Sequence, residues 1–286
     1  MTDRDAPSQC KRWLSEKNHC LRLGLRLSTP AGGRQLPLLN LIHAQDSAMS
    51  ETQAPLRACN RLLAALPTEV HQRLQPALAP VTLARLQPLY PVGGPIAHVY
   101  FPAQASISLV AKVKAGATLE VGLVGQEGMV GLPVLLGGTS HNQQAVVLVA
   151  GKAWRLPAEP LLTEFYRGEA LHGLLLRYVQ ARLTQTTQIG VCNRFHTIEA
   201  RLARWLLSVS DCLAADTFSL THEFISQRLG VRRAAVTTAA GMLNRAGLIS
   251  YSRGHITLLD RAGLEAFACE CYGVVRQALT AVTSVP

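Results

Sequence analysis

The sequence predicts an α+β protein with a β-rich first half and a helical second half. Short runs of β-branched and aromatic residues, separated by glycine and proline, fill residues 89–157. Beyond them, apolar residues recur at helical spacing through most of the remaining chain. Of the 286 residues, 48% are hydrophobic and 16% are charged, which favours packed domains over wholesale disorder.

Residues 1–48 differ from the rest of the chain, because their apolar residues follow no regular period and glycines and prolines interrupt them. Arg22 and Arg26 break the short apolar stretch 21–27, so we expect no signal peptide. Met49 opens a segment typical of a bacterial start, and a helical pattern follows it. We therefore expect residues 1–48 to be a disordered extension or a mis-assigned start.

Residues 49–160 are predicted to form one domain, a small β barrel or sandwich. Its expected strands are 97–101, 106–113, 119–124, 145–149 and 153–156. The most apolar stretch, 119–138, contains glycines and carboxylates, so it predicts no membrane-spanning helix. We expect a cytoplasmic protein with no membrane partner.

The sequence carries no recognisable catalytic or metal-binding motif. His98 and His141 lie far apart in the β-rich region, and neither belongs to an H-x-H pair. Neither G-x-S-x-G nor a glycine-rich phosphate loop followed by lysine occurs. We therefore expect no enzyme activity and no catalytic residue.

The seven cysteines are scattered, and none forms a C-x-x-C pair. Cys269 and Cys271 are closer in sequence than the usual spacing of zinc ligands, and no second pair completes them. The interpretation we favour is reduced thiols without a metal. An iron–sulfur or redox role is the alternative.

A long helix is predicted over residues 161–192, after the prolines that end the β-rich region. Six of its residues are spaced 4, 3, 4, 3, 4, which is the spacing of a heptad seam: Leu171, Leu175, Tyr178, Arg182, Gln185 and Ile189. Such a seam can pair with the same helix of a second chain or pack against the protein's own barrel. The pattern alone does not choose between them.

Residues 193–272 predict a winged helix-turn-helix. An amphipathic helix over 197–207 carries Ile198, Leu202, Trp205 and Leu206 on one face, with Glu199, Arg201 and Arg204 outside it. Thr221 is the expected N-cap of the next helix, and Gly230 suits the turn after it. A second helix then runs from Arg232 to Gly247, and 248–251 with 255–259 read as a two-stranded wing. Residues 273–286 are left as a C-terminal tail.

Positive charge is concentrated in this winged region. The whole chain has a formal charge of +10, and residues 201–261 hold eight arginines against four acidic residues, a net charge of +4. Arginine suits bidentate contacts with phosphate and guanine. Arg232 and Arg233 open a helix whose exposed side is otherwise small, a shape that fits the major groove of double-stranded DNA.

Two other function classes compete with DNA binding. One is a small-molecule-binding or catalytic β-barrel protein whose helical domain mediates protein contacts. The other is an interaction protein that binds no DNA, which leaves the arginines at the helix start unexplained.

Residues 221–231, 232–248 and the wing to Leu259 resemble the DNA-binding domain of the Crp/Fnr family of bacterial transcription regulators. The resemblance extends over roughly 56–272 and implies a cyclic-nucleotide-binding-like β-roll, a dimerisation helix and a winged helix-turn-helix, in that order. It implies a homodimer on double-stranded DNA, and RNA polymerase as a further partner if the protein is an activator. It also favours pairing between two chains for the heptad seam.

The resemblance implies specific DNA contacts. It places the recognition helix at 232–245, with base contacts from Arg232, Arg233, Thr237 and Thr238. Phosphate contacts would come from Thr221, His222, Arg253 and His255. Ala234 and Thr238 replace the glutamate and arginine of the cyclic-AMP-type pattern, so we expect a different recognition sequence.

The nucleotide site departs further from the family pattern, which is Gly-Glu-Leu and then Arg-Ser/Thr-Ala. The corresponding residues here are Gly131 and Leu132, followed by Gln143 and Gln144. Leu132 cannot accept a ribose hydrogen bond, and Gln143 carries no charge to offset a phosphate. Cys10 and Cys20 are too few for the family's iron–sulfur cluster. We therefore expect no cofactor, and an effector other than cyclic AMP, or none.

Overall fold

The computed structural model describes residues 59–112, 118–138 and 143–284. The prediction for residues 1–48 falls outside the described residues. Residues 61–286 form one compact unit. It begins with two short helices, α1 (Arg61–Ala64) and α2 (Thr68–Leu74), whose apolar side chains are buried.

Six strands follow: β1 (Ala79–Leu83), β2 (His98–Pro102), β3 (Ser106–Lys112), β4 (Thr118–Val124), β5 (Gln143–Val149) and β6 (Gly151–Pro157). They form two three-stranded antiparallel sheets, ordered β1-β6-β2 and β4-β3-β5, which together we call the β-roll. All five predicted runs overlap strands. Sequence reasoning missed β1, an edge strand in which Pro80 is tolerated because one side needs no ladder partner.

The β-roll buries apolar side chains along its strands, including Val99, Phe101, Ile107, Val147 and Leu156, each at most 1% exposed. Removal of these side chains from water is the main stabilising contribution of the two sheets. The predicted barrel or sandwich is therefore confirmed.

The predicted single helix is two helices, α3 (Ala158–Phe165) and α4 (Ala170–Phe195). The break falls at Gly168, whose φ of +74° is left-handed. α4 extends three residues beyond the predicted end. It runs to the junction with the winged domain.

The heptad seam faces the protein's own β-roll, so its assignment to a dimer contact is wrong. All six seam residues are at most 7% exposed within the single chain. The Tyr178 hydroxyl donates to the Met129 carbonyl at 3.0 Å, and Arg182 Nη1 donates to the Leu123 carbonyl at 2.6 Å. Tyr178 and Arg182 therefore find acceptors among backbone carbonyls in and just beyond β4, without a second helix, whereas the side-chain oxygen of Gln185 has no hydrogen-bond partner among the described residues.

The C-terminal part is a winged helix-turn-helix, as predicted. It contains α5 (Ile198–Leu213), β7 (Thr217–Ser219), α6 (His222–Leu229), α7 (Arg233–Arg245), β8 (Ile249–Ser252), β9 (His255–Leu258) and α8 (Arg261–Phe267), which together we call the winged domain. The wing has a third strand, because β7 pairs with β9 on the side opposite β8.

Two expectations for this region are corrected. Arg201 and Arg204, predicted to lie outside the buried face of α5, are only 8% and 7% exposed. Residues 273–286, predicted to be a tail, lie largely within a final helix, α9 (Cys271–Ala281). Arg177 Nε of α4 donates to the Val282 carbonyl at 3.1 Å, so the end of the chain is held against α4.

Within the described residues, no helix has both the length and the apolar character needed to cross a membrane.

Candidate DNA-binding site

The helix-turn-helix is built on a capped helix and a glycine turn. Thr221 Oγ1 accepts a hydrogen bond from the Phe224 backbone N–H at 3.2 Å, which confirms the predicted N-cap. Gly230 has a φ of +64°, and a Cβ there would lie 2.8 Å from Leu119 Cδ1. Glycine is therefore favoured by the left-handed backbone conformation, and a Cβ would also displace the end of the Leu119 side chain.

The four predicted base-contact residues lie on the exposed side of α7. Arg232 is its extended N-cap residue, Arg233 is its first helical residue, and Thr237 and Thr238 follow one turn later. Opposite them, the helix buries Val236, Ala239, Ala240 and Leu243, as the apolar spacing predicts.

Both threonine hydroxyls bond back to the helix. Thr237 Oγ1 donates to the Arg233 carbonyl and Thr238 Oγ1 to the Ala234 carbonyl, each at 3.1 Å. Their hydrogens are used within the helix, so what remains for a base is an acceptor lone pair and a methyl group. A methyl group on this face suits contact with the methyl group of thymine.

His222 is half-buried in the winged domain, and its ring is engaged by neighbouring side chains, which argues against the predicted phosphate contact. Its ring stacks on Tyr251 with centroids 4.1 Å apart, and its Nδ1 lies 3.0 Å from Thr237 Oγ1. Its Nε2 is buried and has no hydrogen-bond partner among the described residues. Burial, and then the nearby charge of Arg233, lower the pKa of His222, which favours the neutral ring. Its position couples the start of α6 to the recognition helix and the wing.

The other three predicted phosphate residues remain at the surface. Arg253 is exposed at the tip of the β8–β9 hairpin with a φ of +49°. His255 is also exposed, and its Nδ1 lies 2.9 Å from Ser219 Oγ. The Leu220 N–H donates to the Gly254 carbonyl at 2.8 Å, so the wing tip lies beside Thr221. Thr221 and Arg253 are thereby brought to one side of the domain.

Residues 200–267 match the family model of the Crp-like helix-turn-helix domain. The protein is of the Crp/Fnr type. It is 25% identical over 206 residues to the global nitrogen regulator of Nostoc sp. (strain PCC 7120), covering 68% of this chain and 92% of the relative. It is 24% identical over 215 residues to that of Synechocystis sp. (strain PCC 6803), covering 72% and 95%.

Solved structures show the Crp/Fnr fold as well. FixK2 from Bradyrhizobium japonicum superposes with a TM-score of 0.59 at 17% identity, over 67% of this chain and 98% of its own. A Crp/Fnr-family transcriptional regulator from Thermus thermophilus gives 0.53 at 25% identity, over 66% and 98%. This Crp/Fnr-type protein is thus a transcription regulator with a DNA-binding domain, and the alternative of a small-molecule-binding or catalytic barrel is not favoured.

A buried carboxylate joins the winged domain of the Crp/Fnr-type protein to its β-roll. Trp205 Nε1 donates to Glu120 Oε1 at 2.7 Å, and Ser108 Oγ donates to Glu120 Oε2 at 2.5 Å. Burial raises the pKa of Glu120, whereas these two bonds and the charges of Arg228 and Arg204 oppose the rise. In the sequence analysis, Glu120 served only as one of the carboxylates that exclude a membrane-spanning helix over 119–138, and its role at this contact was missed. A charged residue inside a strand was the signal available.

The residues that correspond to the family's nucleotide site, which we call the effector cassette, are Gly131, Leu132, Gln143 and Gln144. They lie at the ends of two segments of the β-roll. Gly131, with a φ of +111°, precedes a 3₁₀ helix over Leu132–Leu136, and Gln143 with Gln144 begins β5. Residues 139–142, between the two segments in sequence, are outside the described residues. Neither Gly131 and Leu132 nor Gln143 and Gln144 supply a carboxylate or a guanidinium, in line with the expectation that cyclic AMP does not bind. That expectation stays a prediction.

A ligand-sized cavity of about 470 Å³ lies elsewhere in the Crp/Fnr-type protein, among β4, α4, α5 and the last two helices. Its lining is rich in charge and includes Arg61, Glu127, Arg261, Glu265 and Arg276. None of the four cassette residues lines it.

The cysteines of the Crp/Fnr-type protein depart from the sequence prediction in two ways. Cys192, Cys212, Cys269 and Cys271 carry free thiols, as expected, whereas Cys59 is disulfide-bonded. Three of the free thiols also converge with His196. The sequence predicted no metal site, because these residues come from segments more than 70 positions apart.

Proposed function

We propose that this Crp/Fnr-type regulator binds a pseudo-palindromic site in double-stranded DNA as a homodimer. The observation that carries the proposal is the exposed, basic start of α7, presented by a capped helix and a glycine turn in a domain of the Crp-like type. Helix-turn-helix domains place this end of the recognition helix against base edges in the major groove.

Base readout is assigned to the start of the recognition helix. Arg233 would bind a guanine through its two-pronged guanidinium, with Arg232 beside it. Thr237 and Thr238 would offer methyl groups to neighbouring bases. Thr221, Arg253 and His255 would hold phosphates, which contributes affinity and register but little sequence discrimination.

A different face of α4 supports the homodimer. Leu176, Leu183 and Val191 are exposed at 46%, 58% and 40%, and they recur at intervals of 7 and 8 residues along the side opposite the β-roll. An apolar stripe of this period suits pairing with the same helix of a second copy. Such a dimer would set two recognition helices about 34 Å apart, one turn of DNA.

Regulation would act through the junction between α4 and α5. A signal sensed by the β-roll would change the balance between two placements of the winged domain around residues 193–197. We propose an effector other than cyclic AMP, or none, no cofactor bound by the β-roll, and a cytoplasmic protein. RNA polymerase would be the further partner if the regulator activates transcription.

Capture of genomic fragments by the purified full-length protein tests this function. Bound fragments are sequenced across a salt series, with no ligand added and then with cell extract. We expect a shared inverted repeat whose binding falls steeply with salt, because contacts with phosphates release counterions. A lack of enrichment under both conditions would contradict the proposal.

A further inference from the structure

Three thiols and an imidazole meet at the end of the long helix. Cys192 Sγ, Cys269 Sγ, Cys271 Sγ and one ring nitrogen of His196 lie within 4.8 Å of one another. Cys192, Cys269 and Cys271 are 0%, 8% and 1% exposed, and His196 is half-buried. Thiolate and imidazole are the ligands that zinc prefers in closed structural sites.

Local structure explains how distant residues reach one point. Cys192 lies in the last turn of α4, and His196 follows four residues later as the C-cap residue, so both face the same end of the helix. Cys269 and Cys271 flank the sharp change of direction between α8 and α9. The thiols of both residues lie within 4.8 Å of Cys192 Sγ and of a ring nitrogen of His196.

The distances fit one tetrahedral ion. Cys192 Sγ and Cys269 Sγ are 3.5 Å apart, and Cys271 Sγ lies 3.4 Å from His196 Nδ1. Bonds of about 2.3 Å to sulfur and 2.0 Å to nitrogen place ligands of a tetrahedral zinc ion roughly 3.5–3.8 Å apart. Since the four ligand atoms lie within 4.8 Å of one another, binding requires side-chain adjustments of about 1 Å or less between any two of them.

The surroundings complete the site. His196 Nε2 lies 3.1 Å from Glu270 Oε1, which leaves Nδ1 directed at the thiols, in the manner of a carboxylate that orients a metal-binding histidine. Gln188 Nε2 donates to Cys271 Sγ at 3.1 Å. Three thiolates around Zn²⁺ leave one negative charge, and the guanidinium of Arg204 beside Cys192 offsets it.

We propose that Cys192, His196, Cys269 and Cys271 bind one zinc ion. Apolar packing accounts for buried cysteines but not for four ligand atoms that converge on one point with an oriented histidine. Zinc fits better than a hard cation such as magnesium, because every ligand is sulfur or nitrogen.

The ion would tie the end of α4 to the segment that follows the wing. Arg201 connects this place to the helix-turn-helix, because its Nη2 donates to Asn193 Oδ1 at 2.9 Å and to the Leu229 carbonyl at 2.5 Å. Loss of zinc would loosen the junction on which the winged domain is mounted. This consequence for DNA binding rests on the proposed function, whereas the metal site does not.

The test measures metal on the full-length protein. Elemental analysis of protein purified without added chelator should find one zinc per chain. Replacement of zinc by Co²⁺ should give the visible bands and the sulfur-to-cobalt charge-transfer band of a tetrahedral thiolate site. His196→Ala and Cys271→Ser should each weaken binding at least about tenfold.

Two variants separate ligation from misfolding. His196→Cys should retain zinc, because it supplies a fourth thiolate, and Cys212→Ala should also retain zinc, because that buried free thiol lies outside the cluster. Less than stoichiometric zinc together with Co²⁺ spectra lacking the charge-transfer band would overturn the proposal. So would an iron–sulfur chromophore, or equal metal binding by Cys271→Ser and the wild type.

A second experiment measures DNA affinity before and after a chelator removes the metal. The DNA is the inverted repeat found by fragment capture. We expect chelation to weaken binding by about fivefold or more in the wild type and to have no effect on His196→Ala. Because zinc content and Co²⁺ spectra are read without DNA, failure of the metal site is distinguishable from failure of the proposed DNA-binding function.

Discussion

Replacing Trp205 by phenylalanine tests the hydrogen bond that joins the winged domain to the β-roll. Trp205 is 1% exposed, and its indole N–H is 2.7 Å from the Glu120 carboxylate, which is itself 5% exposed. The substitution keeps an aromatic ring but removes the donor. Glu120 is then left with Ser108 as its remaining hydrogen-bond donor among those described.

Trp154 provides a matched control for the loss of ring volume. It is 3% exposed, and its Nε1 has no hydrogen-bond partner among the described residues. Trp154→Phe therefore removes a similar volume and no hydrogen bond. A bond to a charged group contributes about 1.5–3 kcal/mol, so Trp205→Phe should cost that much more than Trp154→Phe.

The excess cost should depend on pH in a definite direction. Because burial raises the pKa of Glu120, its contribution to stability is complete at low pH and is lost as pH rises through the raised value. Loss of the Trp205 donor raises this pKa further. The variant should therefore be penalised most on the alkaline side, where the carboxylate is charged, and least where Glu120 is protonated.

Urea unfolding, monitored by circular dichroism, measures both the extra cost of Trp205→Phe and its dependence on pH. The midpoints of the wild type and the two variants are compared at several pH values, provided that the m-values agree. Equal costs for the two tryptophans would refute the assigned hydrogen bond. An excess that grows as pH falls would refute the reasoning about the carboxylate.

Other predictions concern DNA binding and assembly. Arg233→Ala should cost about 1–3 kcal/mol on the specific site and relax base preference, whereas Arg253→Ala should weaken all sites alike and lower the salt slope by about one, as measured by competition assays. His222→Ala should leave the salt slope unchanged but lower the unfolding free energy by about 1 kcal/mol in urea, since an aromatic stack is lost. In sedimentation experiments, Leu183→Glu should convert dimers to monomers, while Leu86→Glu, a second exposed leucine outside α4, should not.

Each of these has a contrary outcome. Retained base discrimination in the Arg233 variant would refute its assignment to base readout. A lower salt slope in the His222 variant would restore the phosphate contact that the structure argues against. A dimeric Leu183 variant would place the dimer contact on another surface.

Much of the fold could be predicted because its signals are local. The N-cap at Thr221, the turn at Gly230 and the buried face of α7 each depend on residues within a few positions of one another. The strands of the β-roll were likewise recognisable from residue type and from the glycines between them. Only β1, which holds a proline and lies at a sheet edge, escaped this pattern.

The candidate site could be predicted in part. The basic start of α7 and the exposed wing residues follow from the same local patterns, so Arg233 and Arg253 were identified correctly as surface residues. His222 is half-buried, because its ring stacks on Tyr251, which lies 29 positions away in the sequence, and its phosphate contact stays a prediction.

By itself, the sequence determined the periodicity of each helix, the caps and turns, and the concentration of arginine near the recognition helix. Only the tertiary structure decided which surface each face meets. The seam of α4 turns inward because carbonyls in and just beyond β4 satisfy Tyr178 and Arg182, and the apolar stripe left outside is a different one. Cys192 likewise lies next to Cys269 only because the segment before the last helix packs against the end of α4. A hydrogen-bonding or ligating partner far along the chain is chosen by packing, which no local pattern records.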